Sequence, residues 1–362
     1  MSRKNPADKM VFSGILLVMV LGMMIIMDST PIDLSKNALS KTQEIREVLS
    51  LPGKMAWAGD DGFFNFDRGI IRKLDGGGRV IWEKGLEGDD LLWMGPGGFV
   101  VHRDNSLELW NEAGELNFKK DNFLEEPAVL SFEGDFLLIG GKIKGREYAS
   151  VLNKKGVVLW LIPAEGRIIS GRAAKTGSHA VLITMDDTLK SKMALVNAEG
   201  DVLWKKDWPV MILLAGITPD GVVAVAEDRA IKASFDGGTL RERRFEDAIF
   251  RADIGQDGYM LVAVRKKEAK LAFGQRPEII MLDPECRVKW SYVLEKQPQS
   301  IKLHGEFAYV VCDDEVLVLS REGLLTSSIK AGNIKGVNVV DTYCLLINHD
   351  DASSVIAISG RR

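Results

Sequence analysis

The sequence predicts an all-β fold: a single β-propeller of eight four-stranded blades, preceded by one N-terminal transmembrane helix. Three observations predict it. A strand–glycine turn–strand unit recurs eight times along the 362 residues. An uncharged apolar run of 18 residues, 10–27, stands near the start. The last repeat stops one strand short, and a strand-like segment at 45–51 has the length to replace it.

The apolar run comes first. Ten of its 18 residues (MVFSGILLVMVLGMMIIM) are Leu, Ile, Val or Phe, each favouring the bilayer centre by about 0.3–0.6 kcal/mol. At about 1.5 Å per residue the run makes roughly 27 Å of helix, close to the roughly 30 Å hydrocarbon core. Arg3, Lys4 and Lys9 precede it, and Asp28 and Asp33 follow. The excess of positive charge before the span places residues 1–9 in the cytoplasm and the rest of the chain outside the plasma (inner) membrane, as a single-pass protein. The exit Ile25-Ile26-Met27-Asp28 lacks the small residues of a cleavage site, so the segment reads as a signal anchor that is retained. Residues 28–44 are polar and read as a stalk or linker, and 45–362 as the propeller.

Within the propeller region the clearest repeats are Leu152-Asn153-Lys154-Lys155-Gly156-Val157-Val158-Leu159-Trp160 and Val196-Asn197-Ala198-Glu199-Gly200-Asp201-Val202-Leu203-Trp204. Gly78 leads to Trp82 in a third, Cys286 to Trp290 in a fourth, and Gly114 to Phe118 in a fifth. Weaker copies turn at Gly238, Gly323 and Gly360. Successive turn positions lie 36 to 48 residues apart, the period of a four-stranded blade. Glycine supplies the positive φ that a tight hairpin tip requires. The aromatic residue four positions on is expected to fill the gap between neighbouring sheets, where about 150–250 Å² of ring surface leaves water. Two more strands precede the one that enters each turn, which gives the order A, B, C, glycine turn, D. After Gly360 only Arg361 and Arg362 remain, so 45–51 is expected to close the ring as the missing D strand, leaving no open edge. A count of seven blades would leave either the Gly360 copy or that strand without a role.

The Asn/Asp-x-x-Gly-x-Val-Leu-Trp units resemble the repeats of the pyrroloquinoline-quinone-like (PQQ-like) propeller superfamily, most strongly around Trp82, Trp160, Trp204 and Trp290. That resemblance implies a ring of such blades. It implies little about activity, because the superfamily holds quinoprotein dehydrogenases and also cofactor-free members that act as protein-binding scaffolds. A quinoprotein would need a calcium site and usually a pair of adjacent cysteines. Cys286, Cys312 and Cys344 are far apart, and no EF-hand-like acidic stretch is present. The resemblance is therefore to the cofactor-free scaffold type, and neither a cofactor nor a catalytic residue is expected.

Composition narrows the function further. A formal charge of −4 argues against nucleic-acid binding by bulk electrostatics. No CxxC, GxSxG, P-loop, HExxH or dinucleotide fingerprint occurs. His102, His179, His304 and His349 fall in four different blades, an arrangement expected of scattered residues rather than a metal site. The most informative irregularity is loop length. Three connections between B and C strands read as long and basic: Lys142, Lys144 and Arg146 in one, Lys190 and Lys192 in the next, and Arg265, Lys266, Lys267, Lys270 and Arg276 in the third. Loops on a rigid scaffold are where binding concentrates. These residues are the expected docking surface for a protein partner or an anionic polymer in the cell envelope. A sensor that binds a small molecule or cation in the central channel is the first alternative, and a degenerate quinoprotein-type enzyme the second.

Overall fold

The computed structural model describes residues 32–33, 45–52, 55–59, 62–75, 78–86, 91–95, 97–265, 276–331, 333–334, 336–341, 344–348 and 352–358. Its strands form eight antiparallel meanders in chain order: sheet 1 (55–85), sheet 2 (91–121), sheet 3 (125–163), sheet 4 (167–208), sheet 5 (212–244), sheet 6 (248–293), sheet 7 (300–330) and sheet 8 (336–358 with Ile45–Pro52). In each, A pairs with B, B with C and C with D. Seven sheets have four strands. Sheet 6 carries a fifth, Ile32–Asp33, which adds in parallel to its D strand opposite Trp290 and Ser291. Strand A of every sheet touches strand A of the next, and sheet 8 returns to sheet 1. The A strands therefore line a central channel and the D strands form the outer rim of a closed β-propeller.

The ring closes with the strand the sequence offered for it. Ile45–Pro52 runs antiparallel to Ala352–Ile358, with Ile45 opposite Ile358 and Pro52 opposite Ala352. Sheet 8 thus takes strands A to C from the C-terminal end of the chain and strand D from the N-terminal end. The apolar run 10–27, most of the 28–44 linker and the Gly360 turn lie outside the described residues.

Each C–D turn is built by its Asn, Asp or Ser. Asn153 Oδ1 accepts the amides of Lys155 and Val157, and Asn197 Oδ1 those of Glu199 and Asp201. Gly156 and Gly200 then sit at φ 78° and 91°. This is a type I turn followed by a left-handed residue, which shifts the C–D register by one. In sheet 5 the left-handed residue is Gly237, at φ 87°, rather than Gly238; Ser234, not an Asn or Asp, heads that turn, and the motif is displaced by one residue.

The aromatic residue and the glycine prove to be partners across neighbouring sheets. Trp82 packs on Gly114 of the next sheet, Phe118 on Gly156, Trp160 on Gly200 and Trp204 on Gly237. A methyl group on Gly200 would lie 2.6 Å from Trp160 Cβ, and one on Gly156 2.6 Å from the Phe118 ring. The indole N–H adds a bond where it reaches: Trp82 Nε1 donates to the Glu112 carbonyl at 3.2 Å, and Trp290 Nε1 to the Arg321 carbonyl at 2.8 Å. Between sheets 5 and 6 both halves of this latch change together. Sheet 5 has Arg241 four residues after its turn glycine, and sheet 6 has Cys286, at φ 58°, in the glycine place. With no ring to fit, a side chain is tolerated there. Lys232, nearly buried, ties the two sheets instead by contacting Asp220 at 2.6 Å and also Glu285 of the next turn.

The B strands are apolar over most of their length because both faces are covered. Strand B of sheet 5, Gly221–Ala226, is buried at every residue. The cores lie between sheets, as where Leu261, Met281 and Trp290 of sheet 6 meet Ile301, Val310 and Leu319 of sheet 7.

Candidate functional site

Meander topology puts all B–C turns on one face of the disc and all A–B and C–D turns on the other. Of the basic residues singled out from sequence, Lys142, Lys144, Arg146, Lys190, Lys192, Arg265 and Arg276 lie at or beside B–C connections, and the first two of those connections are short. In sheet 3 strand B runs to Ile143 and strand C starts at Arg146. Only Lys144 and Gly145 form the turn, both at positive φ (50° and 76°), as a two-residue type I′ hairpin requires. The Gly140–Glu147 stretch looked like a loop because its glycines interrupt the apolar pattern. Gly140 and Gly141 are in fact buried in strand B, where Ile168, Leu130 and Leu124 leave little room for a side chain.

These cations are also partly committed. Lys142 pairs with Glu126, which lowers the Glu126 pKa and raises that of Lys142 through the shared hydrogen bond. Lys192 bonds Glu165 at 3.2 Å, and Lys205 bonds the same carboxylate at 2.6 Å. In the five-residue turn of sheet 4, Asp186 Oδ1 accepts from Thr188 and from the Lys190 amide, and its pKa is lowered chiefly by the Thr188 hydroxyl. Lys144, Arg146, Lys190 and Arg276 are exposed. Arg265 lies over the Phe250 ring and reaches Gln297. Lys266, Lys267 and Lys270 lie outside the described residues.

The opposite face opens into a cavity of about 590 Å³ at the channel mouth, a site sequence reasoning missed. Arg172, on strand A of sheet 4, donates to Glu133 of sheet 3 at 3.0 Å and to the Ile254 carbonyl of sheet 6 at 3.0 Å. It crosses Gly216 of sheet 5, whose lack of a side chain leaves the path open. Asp253 of sheet 6 accepts the Leu303 amide at 2.6 Å. Desolvation raises its pKa, against the opposing charges of Lys302 and Arg172. Arg321 closes one side by bonding Asp257 at 2.5 Å and the Gly305 carbonyl at 2.7 Å, and it stacks over Tyr259. The available signal was period-two alternation: Arg172, Asp253 and Lys302 each stand between apolar neighbours on an A strand, so the pleat that turns those neighbours between the sheets turns these three toward the channel.

A second feature missed from sequence is the outer edge of sheet 3. Strand D, Val158–Pro163, holds no charged residue, and the whole stretch from Gly156 to Ala164 is uncharged. Other described D strands carry Lys, Arg, Asp or Glu. Its inward side, headed by Trp160, is buried, while Val157, Leu159 and Leu161 alternate outward at 54%, 37% and 39% exposure. The strand pairs only on its inner side, with Arg146–Asn153, among the described residues. The alternation that identified it as a blade strand is the same signal that exposes these aliphatic residues.

His102, His179 and His304 lie in three different sheets, 2, 4 and 7, and His349 lies outside the described residues. His179 begins a B strand and stacks on Phe235, and His304 lies at the channel mouth. Among the described residues no group of three His, Cys, Asp or Glu side chains could hold a metal ion. No described helix is long and apolar enough to cross a membrane.

No protein-family model and no curated protein matches the sequence. Solved structures resemble it over most of its length. BamB from Moraxella catarrhalis, at 13% identity, covers 87% of this chain and 100% of its own with a TM-score of 0.57. The WD40 domain of SCAP from fission yeast, at 8% identity, covers 88% and 98% with a TM-score of 0.55. The WD40 domain of Pan2 from Neurospora crassa, at 9% identity, covers 90% and 98% with a TM-score of 0.50. At these identities the likeness establishes one thing, that the fold is a β-propeller.

Proposed function

We propose that this chain is a non-enzymatic, protein-binding scaffold, an eight-bladed PQQ-like propeller held at the extracytoplasmic face of a membrane by residues 10–27 and serving a cell-envelope complex. Each sheet, including the five-stranded one, counts as a blade. The Trp-bearing repeats and the likeness to BamB over 87% of the chain support the propeller, and the widely spaced cysteines support the cofactor-free type. One observation carries the binding role: the uncharged outer edge of sheet 3. Soluble proteins normally blunt an open strand edge with charge, and here three aliphatic side chains and a row of unpaired backbone groups face outward instead. A partner strand that adds to this edge would bury Val157, Leu159 and Leu161 and pair the free backbone, the mode of β-strand addition. The basic B–C face, from Lys144 and Arg146 to Arg276, is a second docking area of the same scaffold.

The test compares wild type with Leu159→Lys/Leu161→Lys in affinity purification from native membranes. Both positions are solvent-facing, so the fold should persist and the principal partner should be lost. Equal recovery of every partner by both proteins defeats the edge-docking role.

The channel mouth favours one alternative, a sensor for a small charged molecule seated between Arg172, Asp253 and Lys302. Native mass spectrometry of the purified chain should then show a co-purifying ligand that Lys302→Glu removes; a bare chain at the intact mass counts against this reading.

A further inference from the structure

The rim of sheets 5 and 6 is the part of the propeller the chain itself ties to the anchor. Ile32 and Asp33 pair with Trp290 and Ser291 on strand D of sheet 6. Only four residues separate Met27, the end of the apolar run, from Ile32, so five residue steps join the two. At about 3.3–3.6 Å per residue they span no more than roughly 18 Å. The sheet 6 edge lies about 4.8 Å farther on. If residues 10–27 cross the bilayer, this edge stands within roughly 23 Å of the hydrocarbon boundary, several ångströms of which are headgroup.

The surface beside that tether is basic. Strand D of sheet 5, Thr239–Arg244, is exposed at every residue and holds Arg241, Arg243 and Arg244 with one acid, Glu242. Glu242 takes Arg244 at 2.8 Å and Arg229 at 2.9 Å. Among the described residues Arg241 pairs only with Glu285, at 3.8 Å. Arg243 of this strand and the exposed Lys289 of sheet 6 have no carboxylate within ion-pair distance among the described residues, and Arg243 rests over Phe245. Leu240, half exposed, stands in the same strand. This strand also lacks the aromatic latch residue that the D strands of sheets 1 to 4 and 6 carry, as does that of sheet 7.

We infer that this rim docks edge-on against anionic phospholipid headgroups, with Arg241, Arg243, Arg244 and Lys289 as the contacting cations. The inference rests on the membrane-anchor reading and adds to it an orientation: the disc stands on its sheet 5–6 rim and leaves the channel mouth and the sheet 3 edge open to partners. Cations close to an anionic leaflet are attracted within about a Debye length, roughly 8 Å at physiological salt.

The experiment uses the full chain in lipid nanodiscs of phosphatidylcholine, alone or with phosphatidylglycerol. Hydrogen exchange at Thr239–Arg244 and at Val288–Val293 should slow several-fold in the phosphatidylglycerol discs. Added salt, or Arg241→Gln/Arg243→Gln/Arg244→Gln, should abolish the difference. A thermal unfolding midpoint equal to wild type shows the variant folded, and the single Arg243→Gln, expected to give a partial loss, serves if the triple variant is unstable. Identical exchange in both lipids, or slowing confined to another rim, overturns the inference. Alkaline carbonate extraction separates the two failures: release of the chain from membranes removes the anchor reading and this inference together, whereas retention with lipid-independent exchange removes only the rim contact.

Discussion

At the scale of single residues, Cys286 shows how a repeat bends around one exception. Four copies of the motif put glycine against a neighbouring ring, and the fifth holds a thiol in the same left-handed backbone, 4% exposed. Burial, followed by the nearby charges of Asp283 and Glu285, raises its pKa from 9.0 to about 12. Burial also raises that of Cys312 to about 11. A thiol reacts as its thiolate, so neither should take up iodoacetamide in the native protein near pH 8, and both should do so once the chain unfolds. Labelling of either in the folded state would show that these sites open locally. The sign of the pH dependence follows from linkage. The folded pKa lies above the unfolded one, so the contribution to stability is complete below about pH 9 and is lost as pH rises toward about 12. Urea midpoints at about pH 8 and about pH 10.5 should therefore fall farther for wild type than for Cys286→Ser. Equal falls would mean the unfolded thiol is no easier to ionise.

At the scale of elements, the latch sets which positions matter. Trp290 is 1% exposed and bonds the Arg321 carbonyl; Trp290→Ala should cost about 3–5 kcal/mol, since a large ring leaves a cavity between two sheets. Gly200→Ala adds a methyl 2.6 Å from Trp160 at φ 91°, and the left-handed backbone alone should cost about 1–2 kcal/mol. Chemical denaturation measures both, and a Gly200→Ala protein as stable as wild type would remove the latch as the reason for the motif. These elements were legible in the sequence because glycine, Asx and tryptophan recur at fixed spacing, and the backbone physics of a hairpin admits few other readings. The partnership of Trp160 with Gly200 was less legible, because the ring and the glycine it covers sit about a repeat apart. Site geometry was harder still. Lys142 and Lys192 read as free cations, but Glu126 and Glu165 come near them only through folding. The Arg172, Asp253 and Lys302 cluster joins three strands of three sheets, a convergence no local pattern encodes.

At the scale of the whole molecule, stability should depend on one non-local pairing. Every other sheet completes its four-stranded meander within about forty consecutive residues, whereas sheet 8 joins Ile45–Pro52 to Ala352–Ile358 across the length of the chain. Without that strand, the C strand of sheet 8 would present open backbone groups, and the packing between sheets 8 and 1 would lose its outer layer. An exposed edge of this kind invites pairing with another chain. Deleting residues 1–52 should therefore do more than shorten the protein: it should lower the thermal midpoint, broaden the transition and produce concentration-dependent association. Deleting only 1–44 removes the short Ile32–Asp33 pairing but keeps the closing strand, so it should leave a cooperative transition. Calorimetry with sedimentation on the two truncations tests this. Comparable cooperative unfolding and a monomeric state in both would mean that the inter-sheet latches hold the ring without its closing strand, and that closure serves to guard an edge rather than to stabilise the disc.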